Sequence, residues 1–216
     1  MVKAIFIDYT GTMVREDEPY TQELLKRFVT HSDIHDPMEI FTKVWGIIKK
    51  QEAELYGDNF IMKDEQVDII LNYSVENYGL KDNLDELHEI WRNSWIHAPL
   101  FDDVKPFFEN SKLPIYVVTN DDLKYVEQSM EEKGLKPAGI ISAEMCRACK
   151  PHKEILEEGL RVAGVNPDEA ILIGDSEASD VVCAQSVGVT PVLLDRKGKS
   201  KRDDIQVIRS LADLEL

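Results

Sequence analysis

Five short apolar runs, each closing on a small, polar or acidic residue, constrain this chain more than any other feature. They cover residues 4–7, 115–118, 139–142, 170–173 and 191–194. Runs of that length, rich in Ile and Val, have the character of strands buried on both faces, as in a parallel sheet. Helical periodicity fills the gaps between the later runs, over residues 122–133, 153–163 and 179–186. Strands alternating with helices in this way predict a doubly wound, Rossmann-like α/β sheet. A last apolar stretch, residues 206–214, predicts an added edge strand and turn.

The first gap is different. About a hundred residues separate the first run from the second, and four stretches within them are periodic at helical spacing: 20–30, 37–56, 64–78 and 83–96. Asp36-Pro37 and Lys63-Asp64 have the form of helix starts, and Gly57 and Gly79 that of stops. The expectation is a smaller all-helical module over residues 16–97, set into an α/β core of residues 1–15 and 98–216. That module holds 18 acidic and 8 basic residues, so −10 of the chain's net charge of −16 resides in it. Neither an internal repeat nor a low-complexity tract is present.

The acidic balance limits the partners. Phosphate backbones and anionic membrane surfaces need a basic footprint that this chain lacks, so no nucleic acid and no membrane partner is expected. No apolar stretch approaches the roughly 20 residues that cross a bilayer, and charge interrupts the start too early for a secretory leader. Three cysteines make an odd count without a disulfide framework, which suits a reducing compartment. A cytoplasmic protein, monomeric or a weak homodimer, is expected. Small anionic substrates are compatible with the charge, because a metal and a few placed cations reverse the potential locally.

Candidate chemistry gathers just past the strand runs, where open α/β sheets hold their ligands. Asp8 and Thr10 follow the first run, Thr119 and Asn120 the second, and Asp175 and Asp180 the fourth. Lys150 lies eight residues past the third, directly before Pro151, which fits the first position of a helix. Singly, each has an ordinary explanation: an Asp after a strand caps a turn, and a Lys is solvated.

Together they spell a rarer series: Phe6-Ile7-Asp8-Tyr9-Thr10-Gly11-Thr12, Val117-Val118-Thr119-Asn120, Cys149-Lys150-Pro151, and Ile173-Gly174-Asp175-Ser176-Glu177-Ala178-Ser179-Asp180. The series resembles the four motifs of the haloacid dehalogenase-like superfamily, in order and in spacing. The resemblance covers the whole core, and the helical insertion sits where many members carry a cap domain. It implies a hydrolase whose nucleophile is Asp8, acting on a small phosphorylated metabolite through an aspartyl-phosphate. It further implies Mg²⁺ held by Asp8, Asp175, Asp180 and the main-chain carbonyl of Thr10. Lys150 would neutralise the nucleophile and the phosphoryl group, while Thr119 and Asn120 would hydrogen-bond phosphoryl oxygens.

Physical chemistry supports that assignment separately. A carboxylate attacking a phosphate dianion meets repulsion that scales as ~332/(εr) kcal/mol. A divalent cation between them removes the obstacle, and carboxylate oxygens are the hard ligands that Mg²⁺ prefers.

Thr10 departs from the pattern. Most phosphatases of the superfamily have an aspartate there as general acid and base, a role worth ~10²–10⁴-fold that a threonine hydroxyl cannot fill near neutral pH. P-type ATPases resemble the chain at this position and keep a persistent aspartyl-phosphate. Phosphonate-cleaving relatives lack the acid and use a cap lysine as a Schiff base; dehalogenase relatives lack it because halide leaves without a proton. The dehalogenases generally lose the aspartate that Asp175 retains, which favours phosphorus chemistry. The alternatives are a phosphonate or haloacid hydrolase, or a weakened relative that binds a phosphorylated ligand or a partner protein.

Other residues carry weaker expectations. Lys43, Lys49, Lys50 and Lys63 are expected on the solvated helix surface, and Phe41, Trp45, Tyr56, Trp91 and Trp95 in the core of the helical module. Cys146 and Cys149 cannot fill a tetrahedral metal site alone, though their position beside Lys150 leaves a redox role open. His31, His35, His88, His97 and His152 have no motif partner.

Overall fold

The apolar runs become five strands of one six-stranded parallel sheet in a computed structural model, which describes residues 1–16 and 19–216. The strands are β1 (Ala4–Ile7), β2 (Ile115–Thr119), β3 (Gly139–Ser142), β4 (Ala170–Gly174), β5 (Thr190–Leu194) and β6 (Gln206–Ile208). They lie in the order β3-β2-β1-β4-β5-β6, and every neighbouring pair is parallel. The expected edge strand is therefore β6, followed by a 3₁₀ turn at Leu211–Asp213.

β1 is central, and its residues alternate between two separate cores. Ile5 and Ile7 pack with Val117, Ile173 and Val192 on one face; Phe6 packs with Val118, Leu172 and Ile155 on the other. This two-sided burial explains why the strands read as continuous apolar runs. Strand order reverses direction across β1, which places the carboxyl ends of β1, β2 and β4 at the topological switch point.

Two helix boundaries differ from the sequence reading. Past the short helix Ala143–Cys146 that follows β3, the next helix begins at Glu154, not at Pro151: residues 150–153 form a turn around the cis Lys150–Pro151 peptide. The helix after β4 opens as a wide π turn, Glu177–Val181, before the α-helical Val182–Val187. Such turns recur at functional sites, and this one carries Asp180 inward.

Between β1 and β2 lie α1 (Pro19–His31), α2 (Pro37–Glu54), α3 (Lys63–Tyr78) and α4 (Leu84–His97), with α5 (Val104–Asn110) leading into β2. Helices α1 to α4 share a core built on Leu24, Phe28, Val67, Leu71, Leu87 and Trp95, which Tyr125 joins from the sheet domain, whereas Val104 of α5 packs with the sheet. Asp36 caps α2, accepting from Met38 N at 2.8 Å, and Asn83 caps α4, accepting from Glu86 N at 3.3 Å. The start of α3 is capped from across the chain: Asp122 accepts from Lys63 N at 2.8 Å and Asp64 N at 3.0 Å.

The segments leading into and out of the insertion are paired. Arg15 N donates to Pro99 O at 2.9 Å and Phe101 N to Met13 O at 3.0 Å. Arg196 braces this pair, donating to Asp103 at 2.9 and 3.0 Å and to Thr12 O at 2.9 Å. Buried Tyr9 holds the far end, with its hydroxyl donating to the Trp95 carbonyl in the last turn of α4 at 2.8 Å.

Candidate active site

The chain leaves β1 at Asp8, whose backbone amide donates to Ile173 O at 2.9 Å across the sheet. It then turns so tightly past β4 that a Cβ on Gly11 would lie 2.7 Å from Asp175 Oδ2, with φ at +85°. Only glycine combines that backbone conformation with that clearance. At the end of β4, a Cβ on Gly174 would overlap the Asp180 carboxyl, so glycine is again what admits the acid.

Lys150 is 2% exposed and joins these elements. Its ammonium donates to Asp8 Oδ1 at 2.5 Å, Asp180 Oδ1 at 2.7 Å and Val118 O at 2.9 Å, using all three protons. Burial opposes the charge, but the Asp180 and Asp8 carboxylates outweigh it and push the lysine's pKa above its usual range. Asn120 fixes the turn beneath it: its Oδ1 accepts from Lys150 N at 2.7 Å, and its Nδ2 donates to Lys150 O at 3.2 Å.

Asp8, Asp175 and Asp180 each offer an oxygen within 4.8 Å of the others. Asp175 is open to the cleft, and desolvation by the surrounding protein, then the charge of Asp8, push its pKa up; burial outweighs the pull of Lys150 to push Asp180 up to about 6. One ammonium does not balance three carboxylates. The excess of hard, anionic oxygen fits a divalent cation of the Mg²⁺ type.

Asp121 is a site residue that sequence reasoning missed. It is 6% exposed, and its Oδ2 accepts from the Thr10 hydroxyl at 2.9 Å and the Thr119 hydroxyl at 3.1 Å. Burial pushes its pKa up, against the charge of Lys63 and the Thr10 hydrogen bond. The signal was present in the sequence: position 10 lacks an acid, and an acid stands two residues past Thr119 at the neighbouring strand end.

A cleft of about 360 Å³ rises from these groups between the sheet and the helical insertion. Lys63, expected on the surface, lines it and is 9% exposed, donating to Glu52 Oε1 at 2.8 Å. It is drawn inward because Asp122 anchors the first turn of α3 to the core. Lys49 donates to the other Glu52 oxygen at 2.8 Å, and the two ammonium groups overcome burial to hold Glu52 down to about 2.

The aromatic residues divide. Trp95 is buried and Trp91 packs against the same helical core, as expected. Phe41 and Trp45 instead stack on each other at 6.0 Å along the cleft, 46% and 38% exposed, and Tyr56 stacks on His152 at 4.3 Å. Burial pushes the Cys146 thiol up to about 11 and Cys149 to about 12, away from the thiolate that redox chemistry needs. His88 is buried in the insertion between Asp64 at 2.9 Å and Asp68 at 2.7 Å, away from the cleft lining.

The family model described as haloacid dehalogenase-like hydrolase matches residues 2–188. The chain belongs to the haloacid dehalogenase-like hydrolases. Within that family it is 26% identical over 220 residues to "Putative pyrophosphatase PpaX" of Clostridium perfringens (strain 13 / Type A), covering 94% of this chain and 92% of that protein. Magnesium-bound YfnB of Bacillus subtilis has the same fold, with a TM-score of 0.78 at 18% identity over 98% of this chain and 96% of that one. So does the L-2-haloacid dehalogenase of Xanthobacter autotrophicus, with a TM-score of 0.78 at 17% identity over 99% and 96%. The phosphatase of Thermococcus onnurineus gives 0.69 at 23% identity over 98% and 95%. Among the described residues, no helix is long and apolar enough to cross a membrane.

Proposed function

We propose that this hydrolase is a Mg²⁺-dependent phosphatase that cleaves a small phosphorylated substrate through an aspartyl-phosphate at Asp8. The observation that carries the reading is the buried Lys150 bridge between Asp8 and Asp180, with Asp175 alongside. Asp8, Asp175, Asp180 and the Thr10 carbonyl are the residues assigned to the metal, which when bound supplies charge neutralisation and alignment of the phosphoryl group.

The chain's own residues do the rest. Lys150 fixes the orientation of the Asp8 carboxylate. The Asp8 carboxylate attacks phosphorus, the P–O bond to the leaving group breaks, and water then releases phosphate from the aspartyl-phosphate. The Asn120 backbone amide receives a phosphoryl oxygen, and the Thr119 hydroxyl and Lys150 join it by turning from Asp121 and Val118 O, to which they donate without substrate. Residues 16–97 act as a cap that excludes water and selects the leaving group.

The rival readings are less well supported. Lys63 lines the cleft, where a phosphonate-cleaving amine would be needed, but Glu52 and its other acidic neighbours push its pKa up against burial. An ammonium is no nucleophile. Retention of Asp175 disfavours the haloacid reading, and the dehalogenase structures are under 25% identical, so they speak for the fold alone. The complete Lys150 network argues against a relative reduced to binding.

The test is a panel of phosphate esters, pyrophosphate, phosphonates and haloacids, assayed with and without Mg²⁺. Phosphate release that is lost in EDTA and restored by Mg²⁺ is expected. Halide release in EDTA would overturn the proposal.

A further inference from the structure

The wall of the cleft facing Asp8 has a chemistry of its own. On α2, Phe41, Val44, Trp45 and Ile48 repeat at spacings of three and four, so they form one helical stripe, and that stripe lines the cleft. To the same lining α1 contributes Leu25 and Phe28. A solvated helix face of an acidic module has no reason to carry Phe41 and Trp45 side by side at 46% and 38% exposure. An apolar patch that opens onto a reaction centre marks a ligand surface.

The cations along the cleft are already engaged. Lys49 and Lys63 share Glu52 at 2.8 Å each, and Lys49 also sits 4.7 Å over the Trp45 ring. Lys150 is held by Asp8 and Asp180, and Arg15 lies 3.5 Å from Asp102 and 4.7 Å over the Phe101 ring. A second phosphate, or a polyhydroxylated leaving group, would displace these pairs and meet a mainly apolar wall. The loss of the acid at position 10 points the same way, because a leaving oxygen on an aromatic ring or an acyl carbon departs without a proton.

We propose that the stripe Phe41–Val44–Trp45–Ile48 is a leaving-group subsite for an aromatic ring. The substrate is then an aryl phosphate or an aroyl phosphate, not pyrophosphate or a sugar or alkyl phosphate. This rests on the phosphatase reading above. Asp8 attacks phosphorus, the P–O bond to the aryl or aroyl oxygen breaks, and that oxygen leaves as phenolate or carboxylate with the electron pair; water then hydrolyses the aspartyl-phosphate. Phe41 and Trp45 touch only the ring, so they set specificity.

Benzoyl and acetyl phosphate test this as a pair, because both release a carboxylate and differ mainly in the ring. With Mg²⁺, kcat/KM for benzoyl phosphate should exceed that for acetyl phosphate by on the order of ten- to a hundredfold, the effect of burying a ring-sized apolar surface. In Trp45→Ala and Phe41→Ala the ratio should fall towards one, mainly through KM. Both side chains are more than a third exposed, so truncation removes little core. Calorimetry on the Mg²⁺-loaded parent should show phenylphosphonate binding at least tenfold more tightly than methylphosphonate.

Equal hydrolysis of the two acyl phosphates, a ratio unmoved by both variants, or pyrophosphate as the best substrate would overturn the subsite and leave the phosphatase reading standing. No phosphate release from any member of the panel would remove both.

Discussion

The floor of the cleft is built from charges that the sheet forces together, whereas its roof adds to the insertion's own core two aromatic side chains, Phe41 and Trp45, that stay open to the cleft. On the floor, Asp8, Asp180 and Lys150 are at most 8% exposed, and such burial is tolerable only because each charge is paired. On the roof, Phe41 and Trp45 keep more than a third of their surface open. In the proposed mechanism the floor serves reactivity at one atom and the roof serves recognition, so chemistry and selection would be carried by different elements that substitutions should separate.

The largest separation should come from Asp8→Asn. Turnover is expected to fall on the order of 10³-fold or more, as for removal of a nucleophile. The fold should persist, because Lys150 keeps Asp180 as partner and one of three crowded carboxylates is neutralised. Steady-state rates with circular dichroism would check both halves. Retention of more than a few per cent of the parental rate would strip the floor of its assigned role.

Metal and pH sharpen the same contrast. Asp180 is pushed up to about 6 and Asp175 is pushed up too, so between the ordinary carboxylate range and about pH 6 and beyond the folded state holds protons that the unfolded state has released. Metal-free protein should therefore lose stability as pH rises through that window. Mg²⁺ replaces those protons, so its stabilisation should grow with pH. Melting curves in EDTA and in Mg²⁺, taken between about pH 5 and about pH 8, would show the two Tm profiles diverging. Parallel profiles would mean that the carboxylates are not the metal's ligands.

The difference between floor and roof also decides what the sequence could reveal. Asp8, Lys150, Asp175 and Asp180 were legible because parallel strands bring fixed positions to one edge, so their order along the chain encodes their proximity. Strands β1 to β5 and the four helices of the insertion were legible for a related reason: their periodicity reflects burial. The face of an amphipathic helix does not say whether it meets a core or a cavity, so Phe41 and Trp45 were misplaced. Lys63 was misplaced because its burial depends on Asp122, 59 residues away. Asp121 meets the Thr10 hydroxyl through a contact between residues 111 apart.

That contact changes what a repair of position 10 should achieve. Thr10→Asp looks like restoration of the missing acid, yet it sets a second carboxyl against Asp121, where the Thr10 hydroxyl now donates at 2.9 Å. Two carboxylates at that range cannot both ionise. The single variant is expected to gain little on alkyl phosphates. Thr10→Asp combined with Asp121→Asn should gain about tenfold or more, a modest share of the ~10²–10⁴ available to acid–base catalysis. Asp121→Asn alone is the control and should leave the alkyl rate where it was. A collapse in that control would instead make Asp121 the proton source.

The smallest effect expected is at the joint between floor and roof. Asp122 stands immediately before the helix Leu123–Lys133, yet its side chain caps α3 across the cleft through Lys63 N and Asp64 N. Asp122→Ala removes both acceptors from the first turn of α3, where backbone donors have no partner within the helix. A cap of this kind is worth about 0.5–2 kcal/mol, so Tm should drop by a few degrees. The loss should not stop at stability. Lys63 follows α3, and Glu52 follows Lys63, so loosening this turn should let the roof shift against Asp8 and raise KM more than it lowers kcat. Asp122→Asn keeps an acceptor oxygen and should recover most of the loss. If Asp122→Ala lowers Tm while KM stays fixed, the cap stabilises the insertion without positioning the roof.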